Sequence, residues 1–112
     1  MDILFADRKL WKICNEYRLM KKEYGELRAK ILRRRLDEFR AADNLSVLKQ
    51  LPQIRCHELL HDRKGQLAVD LDHPYRLIFQ PFDQPPPVDE NGRLIWENVR
   101  EITILAIEDY HD

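Results

Sequence analysis

Glycine is scarce in this chain: Gly25, Gly65 and Gly92 are its three glycines, and each stands isolated. A phosphate-cradling loop needs glycines close together, so that backbone N–H groups can approach the anion, and nucleotide-binding loops of that kind are excluded. Serine is scarcer still. Ser46 stands alone, in a stretch of helical character without a neighbouring base, which sets aside serine nucleophile chemistry. Cys14 and Cys56 lie far apart and form no paired motif, so we read them as two reduced, mostly buried thiols of a reducing compartment. Long apolar runs are also missing. The opening MDILFADRKLWK is too short and too charged for a signal peptide's apolar core, and nothing approaches the length of a membrane span. These absences predict a cytoplasmic protein with no membrane partner. Charge excess is lacking too: 19 Lys and Arg stand against 20 Asp and Glu, for a net charge of −1. Any nucleic-acid role must therefore come from local clusters of charge.

What is present fits one domain, residues 1–112. A chain of 112 residues, 44% of them hydrophobic, buries a single modest core. Residues 66–71 alternate polar and apolar, Leu67, Val69 and Leu71 against Gln66, Ala68 and Asp70, the period of a half-buried strand. The turn DRKG joins it to a preceding strand at 55–60, and a second turn at 72–74 leads to a third strand at 75–80. Three adjacent antiparallel strands follow. Alternation puts Tyr75, Leu77 and Phe79 on the core face and Arg76 with Ile78 and Gln80 on the other. It likewise puts Arg55, His57 and Leu59 on one face of the first strand and Cys56, Glu58 and Leu60 on its other. The last strand, 101–107, is apolar on both faces, with Ile102, Ile104 and Ala106 on one and Leu105 and Ile107 on the other, as for a strand covered on both sides.

The amino-terminal half reads as helical. Ile3 to Ala6 suit an edge strand, Asp7 an N-cap, and the apolar spacing that follows predicts one helix of about four turns running towards Lys22, with a break at Gly25. ELRAKILRRRLDEFRAA, free of Gly and Pro, is a second helix. Its apolar arc is Ile31, Leu32, Leu36 and Phe39, with Lys30, Arg33, Arg34, Asp37 and Arg40 opposite. Such a face is either simply solvated or a contact surface for structured RNA, since clustered arginines engage phosphates and stacked bases. Arg28 and Arg35 fall inside the apolar arc and need partners or an exit to a cleft, which would direct them towards the polar face of the sheet. Asn44 caps a short helix, LSVLKQL, that Pro52 ends; 81–92 is a surface loop rich in Pro and acidic residues; and Trp96 anchors a short element within 93–99.

Cys56, His57, His61 and His73 are ligand types that suit zinc, but adjacent strand residues point to opposite faces and no CxxC or helical HxxxH pair is present. We therefore expect no metal and no cofactor. The remaining chemistry-bearing set is His57, Arg76, Asp109, Tyr110 and His111, which meet only if the first, third and last strands are neighbours. Two titratable groups near neutral pH and a fixed guanidinium suit phosphodiester chemistry, in which protons move and charge builds on phosphate. Arg76 is accordingly expected across from a phosphate and not in a structural ion pair.

CHELLHDRKG, followed by DLDHPYRLIF and closed by EDYH, resembles the RelE/HigB branch of the RelE/ParE superfamily of type II bacterial toxins, and the upstream RAADNLSVLKQLP fits the same pattern. The resemblance spans nearly the whole chain. It implies an α+β fold, a twisted, mostly antiparallel sheet packed against N-terminal helices. It further implies an endoribonuclease that cuts messenger RNA on the ribosome by attack of the ribose 2′-hydroxyl on the adjacent phosphate, silenced by a cognate antitoxin of helix-turn-helix type. By the same resemblance His57 moves a proton, Arg76 steadies the scissile phosphate, and Asp109, Tyr110 and His111 form the terminal part of the site. Lys30, Arg33, Arg34 and Arg40, with Arg63 and Lys64 on the turn, would bind RNA. Leu60 departs from the family's lysine, a loss that Arg63 or Lys64 would make good, and the proline-rich loop is longer than in compact members. Two other readings keep the scaffold: a ParE-like inhibitor of DNA gyrase, which would not need His57 and His111, and a non-catalytic interaction protein.

Overall fold

In a computed structural model, which describes residues 1–109, strand β1 (Asp2–Phe5) leads into helix α1 (Arg8–Asn15). Asp7 caps that helix as its sequence predicts, its Oδ1 accepting from the Leu10 N–H at 2.7 Å. Asp7→Ala should therefore lower the unfolding free energy by about 1 kcal/mol, read from the shift in a urea transition. The single long helix expected here is instead two, α1 and α2 (Tyr17–Tyr24), separated by an extended Glu16 at φ −127° and ψ 107°. No Gly or Pro causes the break. The Asn15 side chain donates to the Trp11 carbonyl at 2.7 Å, and a side-chain amide that competes for a helix carbonyl offers the backbone a way out of the helix.

Gly25, at φ 82°, turns the chain into α3 (Glu26–Ala41) in a conformation that side-chain-bearing residues rarely adopt. Ala29, Leu32, Leu36 and Phe39 are buried on one side of α3, while Lys30, Arg33, Arg34, Asp37 and Arg40 are exposed on the other. Asn44 then caps α4 (Leu45–Lys49), two residues shorter than the predicted helix LSVLKQL, and a 3-10 turn follows at Pro52–Ile54.

The other strands are β2 (His57–Glu58), β3 (Leu67–Asp70), β4 (Tyr75–Pro81) and β5 (Glu101–Asp109). They form one sheet in the order β1-β5-β4-β3-β2, antiparallel throughout except for β1, which runs parallel to β5 at the edge. The architecture is α+β, with helices against one face of a mostly antiparallel sheet. Leu67, Val69, Leu77, Phe79, Ile102 and Ile104 pack on that face with Leu32, Leu36, Phe39, Leu10, Ile13 and Met20. Phe39 meets Phe79 edge to face, centroids 5.0 Å apart.

On the opposite face lies a smaller apolar patch of Leu59, Ala68 and Ile78, with Leu105 and Ala106 against it, and among the described residues no helix contributes to it. The division of β5 between the faces differs from strict alternation. Ile78 pairs with Ala106 and Phe79 with Ile104, so Leu105 is the extra residue of a bulge, and Ile107 returns to the helix-covered face with Ile102 and Ile104.

Three further expectations are corrected. The strand predicted at 55–60 shrinks to two residues, because Arg55 takes a left-handed backbone at φ 47° and His61 another at φ 59°, conformations that cannot continue a ladder. Arg28 and Arg35 do not turn to the polar face. Arg28 pairs with Asp72 at 3.0 Å and lies 3.4 Å from the Tyr75 ring centre, and Arg35 donates to the Asp70 carbonyl at 2.8 Å and pairs with Glu38 at 2.9 Å. Both clamp the β3–β4 turn onto α3. Pro81 belongs to β4 instead of the loop, and within that loop the Asp89 carboxylate accepts from the Asn91 and Arg93 backbone N–H groups. Trp96 is buried at a 3-10 turn, as its sequence context predicts.

Candidate active site

Pairing register decides which polar side chains share the sheet face away from the helices. His57 stands opposite Ala68, Ala68 opposite Ile78, Asp70 opposite Arg76, and Arg76 opposite Glu108. Directly opposed residues share a face, so His57, Asp70, Arg76 and Glu108 all lie on the helix-free side. β2 and β4 are not neighbours, however. β3 lies between them, and Arg76 stands two residues along β4 from Ile78, the residue in register with His57, which sets the backbones of His57 and Arg76 about 12 Å apart.

Asp70 occupies the gap. Its Oδ1 accepts from Arg76 Nε at 3.1 Å and its Oδ2 from Arg55 Nε at 2.9 Å, so one carboxylate holds two guanidinium groups. The Arg76 side chain is 12% exposed. The expectation of an Arg76 outside any ion pair is thus overturned: a guanidinium on a mostly covered sheet face needs an anion, and register delivers Asp70. Arg63, from the 3-10 turn at His61–Arg63, reaches the same face, pairing with Glu108 and donating to Gln66 Oε1 at 3.1 Å.

His57 Nδ1 lies 2.7 Å from the Arg55 carbonyl oxygen. A carbonyl only accepts, so Nδ1 carries a proton and donates it, and in the neutral ring Nε2 is then the acceptor nitrogen. Nε2 is shielded from solvent. Arg55 therefore serves twice, its carbonyl fixing the His57 tautomer and its guanidinium joining Arg76 on Asp70. This accounts for a non-glycine residue held in a left-handed conformation, a strain of about 1 kcal/mol or more.

Asp109 stands opposite Tyr75 in the ladder, one register step beyond the Arg76–Glu108 pair. Tyr110 and His111 lie outside the described residues. Lys64 is exposed beyond the Arg63 turn. Lys30, Arg33, Arg34 and Arg40 project from the outer side of α3, and α3 covers the other face of the sheet. Two basic surfaces thus lie on opposite sides of the molecule, separated by the sheet and the roughly 10 Å thickness of a helix. Asp70 and Arg55 were missed in the sequence. The signal was there for Asp70: a three-residue turn at 72–74 sets residue 71 across from 75 and hence 70 across from 76.

Among the described residues no group of three or more His, Cys, Asp or Glu converges to hold a metal ion. Burial pushes both the Cys14 and the Cys56 thiols up to about 12, with Arg40 opposing the effect at Cys14 and Lys49 at Cys56. Both thiols stay protonated near neutral pH, so alkylation of the folded protein at pH 8 should be far slower than after unfolding in urea. Their linkage has a definite sign. Between about 9 and 12 the unfolded chain releases these protons and the folded one keeps them, so stability should fall as pH rises through that window.

No helix among the described residues is long and apolar enough to cross a membrane. Comparison with protein-family models, with curated proteins and with solved structures finds no match in any of the three.

Proposed function

We propose that this chain is a ribosome-dependent endoribonuclease of the RelE/HigB toxin type, cytoplasmic and silenced by a cognate antitoxin of helix-turn-helix type. The observation that carries the reading is the helix-free sheet face, where a tautomerically fixed histidine stands beside a pair of arginines held by one carboxylate. The chemistry that suits this arrangement is transfer within one strand of RNA. RNA entry has to uncover His57 Nε2, which is shielded in the free chain; that nitrogen then takes the proton of a ribose 2′-hydroxyl, the oxygen attacks the adjacent phosphorus, and the P–O5′ bond breaks to leave a 2′,3′-cyclic phosphate. A second group returns a proton to the departing 5′ oxygen, the role assigned to His111, with Asp109 and Tyr110 completing the terminal motif. Charge that builds on the phosphate is met by Arg76 and Arg55, for which a positioned donor contributes about 3 kcal/mol. Near-zero net charge is compatible with this, because Lys30, Arg33, Arg34 and Arg40 on one side and Arg63 and Lys64 on the other supply local attraction to ribosomal and messenger RNA.

Induced expression of the intact chain in bacteria tests the reading. Growth should arrest, with breaks inside the translated part of messages. Arrest with intact messages and inhibited DNA gyrase would favour the ParE-like reading, and no arrest at all the non-catalytic one.

A further inference from the structure

The break at Glu16 leaves a hollow of about 400 Å³ between the α1–α2 junction and α3. Cys14 and Met20 close it with buried side chains, and Asn15, Tyr17, Arg33, Asp37 and Arg40 supply the rest of its wall. The charged part of the lining is two guanidiniums against one carboxylate. Arg33 lies 4.9 Å from the Tyr17 ring centre, a cation–π contact that limits where its guanidinium can go, and Lys21 lies 5.2 Å from the same ring. Arg40 meets Asp37 at a long 3.7 Å, with both side chains open to solvent, so this pair holds Arg40 weakly. Cys14 adds no negative charge, being a neutral thiol.

We propose that this hollow is a phosphate seat, in which Arg33 and Arg40, two turns apart on α3, receive one phosphate group. Concavity separates it from the rest of the basic face: Arg34 and Lys30 share the exposed side of α3 but line no part of this hollow. Asp37 is the element that works against an anion, and it tunes the seat by competing for Arg40. The phosphate comes from the backbone of structured RNA, a source that rests on the ribonuclease reading, or from a free nucleotide. The chemistry of the seat is the same in both cases.

The test uses the intact chain, with arginine Nε–H resonances followed by NMR during titration with inorganic phosphate, with AMP and with a short RNA duplex. With inorganic phosphate and AMP, saturable shifts are expected at Arg33 and Arg40 and not at Arg34. Asp37→Asn should tighten phosphate binding by up to about fivefold, the most an exposed ion pair of this kind withholds. An Arg33→Gln and Arg40→Gln double variant should lower the salt dependence of duplex binding by about one unit of log–log slope, with the exposed Arg100→Gln as the control for loss of one surface charge. Equal phosphate-induced shifts at Arg34, or an Asp37→Asn variant that binds phosphate no better, would overturn the seat. Binding of phosphate and AMP without the duplex would keep the seat and remove RNA as its source. Because none of these readouts requires cleavage, a chain that fills the seat but cuts no message would leave this inference standing while the ribonuclease reading fell.

Discussion

His57→Ala is expected to slow cleavage of a message on translating ribosomes by about 10² to 10⁴, the usual contribution of a positioned proton-transfer group. Stability should change little. His57 sits on a two-residue edge strand and makes its Nδ1 bond to a backbone carbonyl, a contact worth about 1 kcal/mol. His57→Gln sharpens the comparison, because its amide can donate to the Arg55 carbonyl while having no nitrogen that accepts a proton near neutral pH. Loss of cleavage in both variants, with urea transitions near that of the parent, assigns the effect to proton transfer. If the Gln variant cuts at the parental rate, His57 serves only to hold Arg55, and the base lies elsewhere.

Phe39→Ala should have the largest effect on the fold. Phe39 is fully buried on α3 and packs edge to face on Phe79, which is itself paired to both Leu67 and Ile104, so its ring joins the helical layer to the middle of the sheet. Removing a phenyl group from such a site costs about 3–5 kcal/mol, through lost transfer free energy and the cavity left behind. A domain of this size has a total stability of roughly 5–15 kcal/mol, so the variant should be partly unfolded at growth temperature. Denaturant unfolding checks this. A loss below about 1 kcal/mol would mean that α3 is not packed against the sheet through this residue.

The elements legible in the sequence were those in which one local rule acts alone. β3 and β4 follow from alternation, α3 from an uninterrupted run of good helix formers with an apolar arc, and the Asp7 and Asn44 caps from short acceptor side chains just ahead of helical spacing. Where two rules competed, the reading failed. Nothing in residues 8–24 is a strong helix breaker, and the Asn15 side chain that ends α1 is recognisable only once it is seen on the Trp11 carbonyl. The bulge at Leu105 reverses the faces of Ala106 and Ile107 without any glycine to mark it. Half of the candidate site was readable for the same reason. The faces of His57 and Arg76 follow from period two, but the Asp70 bridge to Arg55 and Arg76 needs the register of three strands at once, and the left-handed Arg55 has no sequence signature.

That bridge also changes what Arg76 can be expected to do. Its guanidinium is held by Asp70, so substitution should cost some stability as well as activity, and activity has to be compared per folded molecule. Lysine at this position could keep the charge but would lose the planar fork through which a guanidinium serves a carboxylate and a phosphate together.

We propose that this chain cuts messenger RNA where the ribosome holds it. The direct measurement mixes the purified intact chain with ribosomes translating one defined message and maps the new ends by primer extension, beside the same message without ribosomes. Cuts should be confined to the translated reading frame, fragments should end in a 2′,3′-cyclic phosphate, and the free message should stay whole. A message that stays whole on translating ribosomes, or one cut equally well without them, would contradict it.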